Sequence, residues 1–92
     1  MIRAVLTENR VSLTGHAGYA PAGQDIVCAA VSALIFALVT AAQEEEGLTE
    51  LLIRPGRVTA AVKPQCAAYV RMAACGLRQI AARYPQCVAV EE

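Results

Sequence analysis

From Ile26 to Gln43 the chain runs for 18 residues without a charged side chain. A stretch of that kind either just spans a membrane or forms a helix of a protein interior. Its flanks decide between the two. Asp25 precedes it, Glu44-Glu45-Glu46 follows it, neither end carries Lys or Arg, and six of the 18 residues are Ala. Membrane spans are anchored and oriented by basic flanks, which are missing here. The stretch is therefore read as a helix buried on most of its circumference, and no membrane association is expected. Asp25 suits the N-cap and Gly47 the C′ position. A chain of 92 residues holds one small domain, residues 1–92, with one modest core. The apolar share of 57% includes nineteen alanines, which points to closely packed helices or to an oligomer that enlarges the core.

The segments around this helix alternate with strand period. Ile2, Ala4 and Leu6 oppose Arg3, Val5 and Thr7, a short turn follows at Glu8-Asn9, and Val11 and Leu13 share one face of the next segment. These two segments form a hairpin. Beyond the helix, Leu48 to Ile53 is a weakly patterned strand, Pro55-Gly56 is a turn, and Val58, Ala60 and Val62 alternate inward. Cys66 to Arg83 is predicted helical, with Val70, Ala73, Leu77 and Ile80 on one stripe and Arg71 and Arg78 on the wet side. Pro85 stops it, and Cys87 to Val90 is a last short strand. The order ββαββαβ predicts an α+β two-layer sandwich, with helices packed on a sheet.

Eight basic residues balance eight acidic ones, and the seven arginines are scattered. This argues against a nucleic-acid binder, which usually shows a net basic face, so no direct nucleic-acid binding is expected. Met1 leads straight into a strand pattern rather than a signal segment, so a cytoplasmic protein is expected. The cysteines stand at 28, 66, 75 and 87, with no C-x-x-C. Cys66 and Cys75, nine apart on a helix, point to opposite sides, so neither a metal site nor a bound cofactor is predicted and reduced thiols are the default.

The stretch Gly15 to Gln24, with three Gly and one Pro, forbids regular structure. It carries the only histidine, His16, and delivers the chain to Asp25 and Cys28. With Asp25 as N-cap, Cys28 is the third residue of the helix, where the positive end of the helix dipole favours a thiolate. A His on a glycine-hinged loop can reach the same helix end, giving the Cys–His pair of nucleophilic catalysis. The first-turn N–H groups are candidates to hold an oxyanion. Each residue also has a plainer reading. Cys28 fits a small buried hydrophobe, and Asp25 is explained by accepting the N–H of Cys28. Ser32, one turn deeper on the same face, either bonds near the sulfur or bonds back to the Cys28 carbonyl. Gly15, Ala17, Gly18, Tyr19 and Gly23 belong to a loop that covers substrate or is only surface.

The block Gly15-His16-Ala17-Gly18, a short loop, then Asp25-Ile26-Val27-Cys28-Ala29-Ala30-Val31-Ser32 resembles the ribosomal-processing cysteine protease family of bacteria. The resemblance implies a small cytoplasmic homodimer. It implies cleavage of the N-terminal extension from a large-subunit ribosomal protein, number twenty-seven of the L series. It further implies Cys28 as nucleophile, His16 as general base and proton donor, Asp25 and Ser32 in support, and a mobile loop over the substrate. The alternative is a non-catalytic ribosome-associated or assembly module in which His16 and Cys28 are structural; a metal or redox switch fits poorly.

Overall fold

The computed structural model of the chain describes all 92 residues. Strands β1 (Ile2–Leu6) and β2 (Arg10–Thr14) form the first hairpin, followed by helix α1 (Ile26–Glu44). Strands β3 (Leu48–Arg54) and β4 (Arg57–Val62) form the second, followed by a 3₁₀ turn at Pro64–Cys66, helix α2 (Ala67–Arg83) and strand β5 (Val88–Glu91). The five strands make one sheet in the order β3-β4-β2-β1-β5, in which only the β1–β5 pair is parallel. The fold is thus α+β, a mixed five-stranded sheet with both helices on one face.

The alternation in each hairpin decides which face that is. Ile2, Ala4 and Leu6 of β1, Val11 and Leu13 of β2, and Ala60 and Val62 of β4 are buried. The register sets Leu13 opposite Val58 and Val11 opposite Ala60, so the apolar sets of three strands coincide. On the opposite face Arg10 pairs with Glu50 at 3.4 Å, and the Ser12 and Thr59 hydroxyls meet at 3.3 Å. The helices close the core with Val27, Val31, Ile35, Leu38, Val39 and Ala42 from α1 and Ala67, Val70, Ala73, Ala74 and Leu77 from α2. Burying side chains of the size of Ile35, Leu38 and Leu77 stabilises the fold by about 1.5–3 kcal/mol each.

Four local expectations change. Helix α1 is buried along one stripe, not on most of its circumference. It lies on a single sheet beside a single helix, with no further layer above it, so Ile26 and Phe36 stay 56% and 43% exposed. The residue that turns the chain at the end of α1 is Glu46, with φ 54°, not Gly47. Gly47 is needed for another reason: a Cβ there would lie 2.3 Å from the Cys66 sulfur. The second helix begins one residue later than Cys66, because Pro64 opens a 3₁₀ turn that Cys66 ends. Strand β5 runs one residue later than its pattern, from Val88 to Glu91, since its partners along β1 are Ile2 to Val5.

Candidate active site

The site lies where the end of β2, the start of α1 and the β3–β4 turn come together. The link is a backbone one: the Gly15 N–H donates to the Gly56 carbonyl at 2.9 Å, tying the residue before His16 to the turn of the other hairpin. His16 then lies over Gly56, with Nε2 3.2 Å from where a Gly56 Cβ would stand. Cys28 is half-buried in the first turn of α1. His16, Cys28 and Ser32 border two adjoining clefts. One, of about 230 Å³, has a floor of Ile2, Leu13, Val31 and Val58 and takes in Gly15, Gly56, Arg54 and Arg57. The other, of about 630 Å³, runs between Ala29 of α1 and the glycine-rich segment at Gly18, Ala20, Ala22 and Gly23.

Asp25 holds this end of the molecule together. Oδ1 accepts the N–H groups of Val27 at 3.0 Å and Cys28 at 2.9 Å, so Asp25 is the N-cap of α1. Oδ2 accepts the N–H groups of Tyr19 at 3.0 Å and Ala20 at 3.3 Å. One carboxylate thus fixes the helix start and the loop, and its four contacts do not include His16. The Tyr19 ring also stands edge-on to Tyr84, centroids 5.4 Å apart, at the end of α2. Gly15 and Ala17, expected in the covering loop, belong instead to the framework: Gly15 passes close to the Met1 carbonyl and Ala17 is part of the buried core. Gly15 and His16 are exposed, Ala17 is buried, and the loop is exposed again from Gly18. The Ser32 hydroxyl forms neither of its two expected bonds and stands exposed beside both clefts.

The Cys28 sulfur accepts the backbone N–H of Ala17 at 3.4 Å. The expectation that first-turn amides are free for an oxyanion fails for Val27 and Cys28, because Asp25 Oδ1 occupies both. Sequence reasoning also missed that the β3–β4 turn borders the site. Pro55-Gly56 signalled a turn, but nothing local showed that it folds beside His16.

The Asp25 carboxyl is held below its ordinary range, chiefly by the hydrogen bond from the Cys28 N–H and further by those from Ala20, Tyr19 and Val27, against a desolvation that raises it. A group whose folded value is lowered contributes stability that is complete above its unfolded value and is lost as pH falls through the folded one. The Tyr19 and Ala20 amides should therefore lose protection from hydrogen exchange as pH falls below about 4, before the sheet amides do. Asp25→Asn presents one oxygen and one NH₂, and the NH₂ faces two other donors. It keeps either the cap or the loop clamp. Asp25→Ala loses both. Melting temperature and KM should separate wild type, Asn and Ala in that order; equal behaviour of wild type and Asn would remove the double role.

Gly56→Ala adds strain at φ +71° and places a methyl 3.2 Å from His16 Nε2. The imidazole must move by a few tenths of an ångström, and catalytic geometry is sensitive to such shifts. The variant should lose roughly tenfold or more in kcat with little change in KM; unchanged kcat would show that His16 needs no support from the turn.

The family model for the cysteine protease Prp matches residues 1–89 of this chain. The chain belongs to the Prp family of cysteine proteases. The family is one of ribosomal-processing enzymes: a Mycoplasma pneumoniae relative, named as a ribosomal processing cysteine protease Prp, is 30% identical over 99 residues, covering 100% of this chain and 95% of its own. Solved structures agree on the fold. The S. aureus ribosomal processing protease Prp, in complex with a covalently linked product peptide, superposes with a TM-score of 0.83 at 19% identity, over 98% of this chain and 95% of its own. A Streptococcus mutans protein reaches 0.78 at 26% identity, over 99% and 92%. The S. aureus enzyme in complex with a substrate peptide gives 0.76 at 18% identity, over 98% and 95%.

Proposed function

We propose that this chain is the endopeptidase that removes the N-terminal extension of large-subunit ribosomal protein twenty-seven of the L series, with Cys28 as nucleophile and His16 as its base. The observation that carries the assignment of residues is that Cys28, at a capped helix start, and His16, at the end of β2, border the same two clefts in a chain of this protease family. His16 takes the thiol proton, the sulfur attacks the scissile carbonyl, and His16 returns the proton to the leaving amine; water then hydrolyses the thioester. Asp25 supports the pair by holding the helix and the loop, and Ser32 stands one turn along the same wall.

The larger cleft has alanine and glycine walls, which suits an extended peptide recognised by its backbone and by small pockets. The acidic cluster Glu44-Glu45-Glu46 ends α1, about 25 Å along the helix from Cys28, too far to choose residues at the bond cut. The reading includes a cytoplasmic homodimer. The homodimer, though not the location, is supported by apolar side chains left exposed on α1 and β3, namely Ile26, Phe36, Leu51 and Ile53. The test is to incubate the purified chain with the N-terminal peptide of its own host's ribosomal protein and to read the products by mass spectrometry. A single cut that leaves the mature N-terminus is expected. An uncut peptide, with Cys28 intact, would overturn the substrate assignment.

A further inference from the structure

We propose that the backbone N–H of Ala17 is the oxyanion donor of this active site. The inference rests on Cys28 being the nucleophile, as proposed above, and adds a catalytic group to it. The usual place to look is the first turn of the helix that carries the nucleophile. Three amides of that turn are taken here: Asp25 Oδ1 occupies the N–H groups of Val27 and Cys28, and the Asp25 carbonyl occupies that of Ala29 at 3.1 Å, which leaves only that of Ile26, two residues before the nucleophile.

Ala17 is different in three respects. Its N–H points at the reacting sulfur, at 3.4 Å, and has no oxygen acceptor. Sulfur is a weak acceptor, whereas a buried backbone N–H is nearly always matched with a strong one. Ala17 is only 3% exposed, and the Cys28 sulfur is the one acceptor its amide has in the protein, so a substrate oxygen formed beside that sulfur would be its first strong partner. Its position is also fixed. The Ala17 methyl is in the hydrophobic core, and Gly15, two residues before it, is bonded to the Gly56 carbonyl. The exposed loop can therefore move without moving the donor, which is what preorganised stabilisation needs.

The step follows from that placement. The sulfur electron pair forms the S–C bond, and the carbonyl π pair moves onto oxygen. The new oxyanion is bonded to the carbon that the sulfur has attacked, so it lies within reach of a donor that already touches the sulfur. The Ala17 N–H passes from sulfur to oxygen. When the pair returns, the C–N bond breaks and the amine departs with the proton carried by His16.

The experiment replaces one N–H by an ester oxygen and leaves every side chain in place. The chain is assembled by ligation at Cys28 with Ala17→lactate, which replaces the His16–Ala17 amide by an ester and keeps the methyl. Two reactions of Cys28 are compared with those of the unmodified chain: acylation by a p-nitrophenyl ester, which passes through an oxyanion, and alkylation by iodoacetamide, which does not. Acylation should fall roughly 100- to 1,000-fold while alkylation stays within about threefold. The control Ala17→Gly, which keeps the N–H, should lose far less acylation. Acylation that survives the ester would overturn the proposal, as would an equal fall in both reactions, which would make the amide a partner of the thiol only. Acylation of the unmodified chain at a residue other than Cys28, found by mass spectrometry, would instead overturn the nucleophile assignment, and the donor assignment with it.

Discussion

Cys28→Ala should abolish peptide cleavage, by roughly 10⁴-fold or more, while the protein stays folded. The sulfur is half-buried, and its only hydrogen bond is the weak one from Ala17. Replacing the thiol by a methyl therefore removes little packing, on the order of 1 kcal/mol. The helix start survives because Asp25 caps it through the backbone N–H of residue 28, which alanine retains. Cleavage at a near wild-type rate would remove Cys28 as nucleophile. The other cysteines give the contrast. Cys66 is buried against Gly47, and Cys75 is exposed on α2 beside Arg78, whose guanidinium lies 3.3 Å from its sulfur. Cys66→Ala should lower stability with little effect on kcat, and Cys75→Ala should change neither.

Gly15→Ala is expected to be the most damaging single change to the fold near the site. The backbone there has φ +88°, and an added Cβ would stand 2.2 Å from the Met1 carbonyl oxygen. That neighbour is backbone at the start of β1, where the Ile2 N–H already bonds to the Cys87 carbonyl at 2.8 Å, so it cannot swing aside like a side chain. The chain must shift at the junction of β1, β5 and the His16 segment. A loss of about 3 kcal/mol is expected, which for a domain of this size lowers the melting temperature by roughly 15 °C. Gly18→Ala is the control. Its φ is also positive, +71°, but a Cβ there meets nothing within 4 Å. It should cost only about 1–2 kcal/mol of backbone strain. Equal melting temperatures for the two variants would show that φ, and not the approach to Met1, governs this corner.

Much of the molecule was legible because its signals are local. Period-two alternation in Ile2–Leu6 and Arg57–Val62, and the stripe Val70, Ala73, Leu77, depend only on which side chains face the core. They yielded the element order and the fold class. Asp25 was legible as a cap because an N-cap carboxylate reaches an N–H three residues on, whatever the rest of the chain does. The glycine-rich segment leading to Cys28 marked the site for a related reason, since so irregular a stretch must be loop.

What sequence left undecided are matters of distant partners. Alternation cannot say that β5 joins β1 in parallel, because that pairing closes only after two hairpins and two helices are in place. An uncharged sequence does not reveal how many layers surround α1; one sheet and one helix cover a single stripe of it. Gly47 reads as the C′ glycine, but Glu46 makes that turn, and the sulfur that requires Gly47 is nineteen positions away. The same limit applies at the active site. The sequence determined that a cysteine, a histidine and a capped helix end could meet. Only the tertiary structure decided that Asp25 also clamps the loop at Tyr19 and Ala20, that the Gly56 turn lies beside His16, and that the amide facing the sulfur is that of Ala17. Each of those depends on which hydrogen-bond partner is nearest in space, and that is settled when the hairpins dock on the helix.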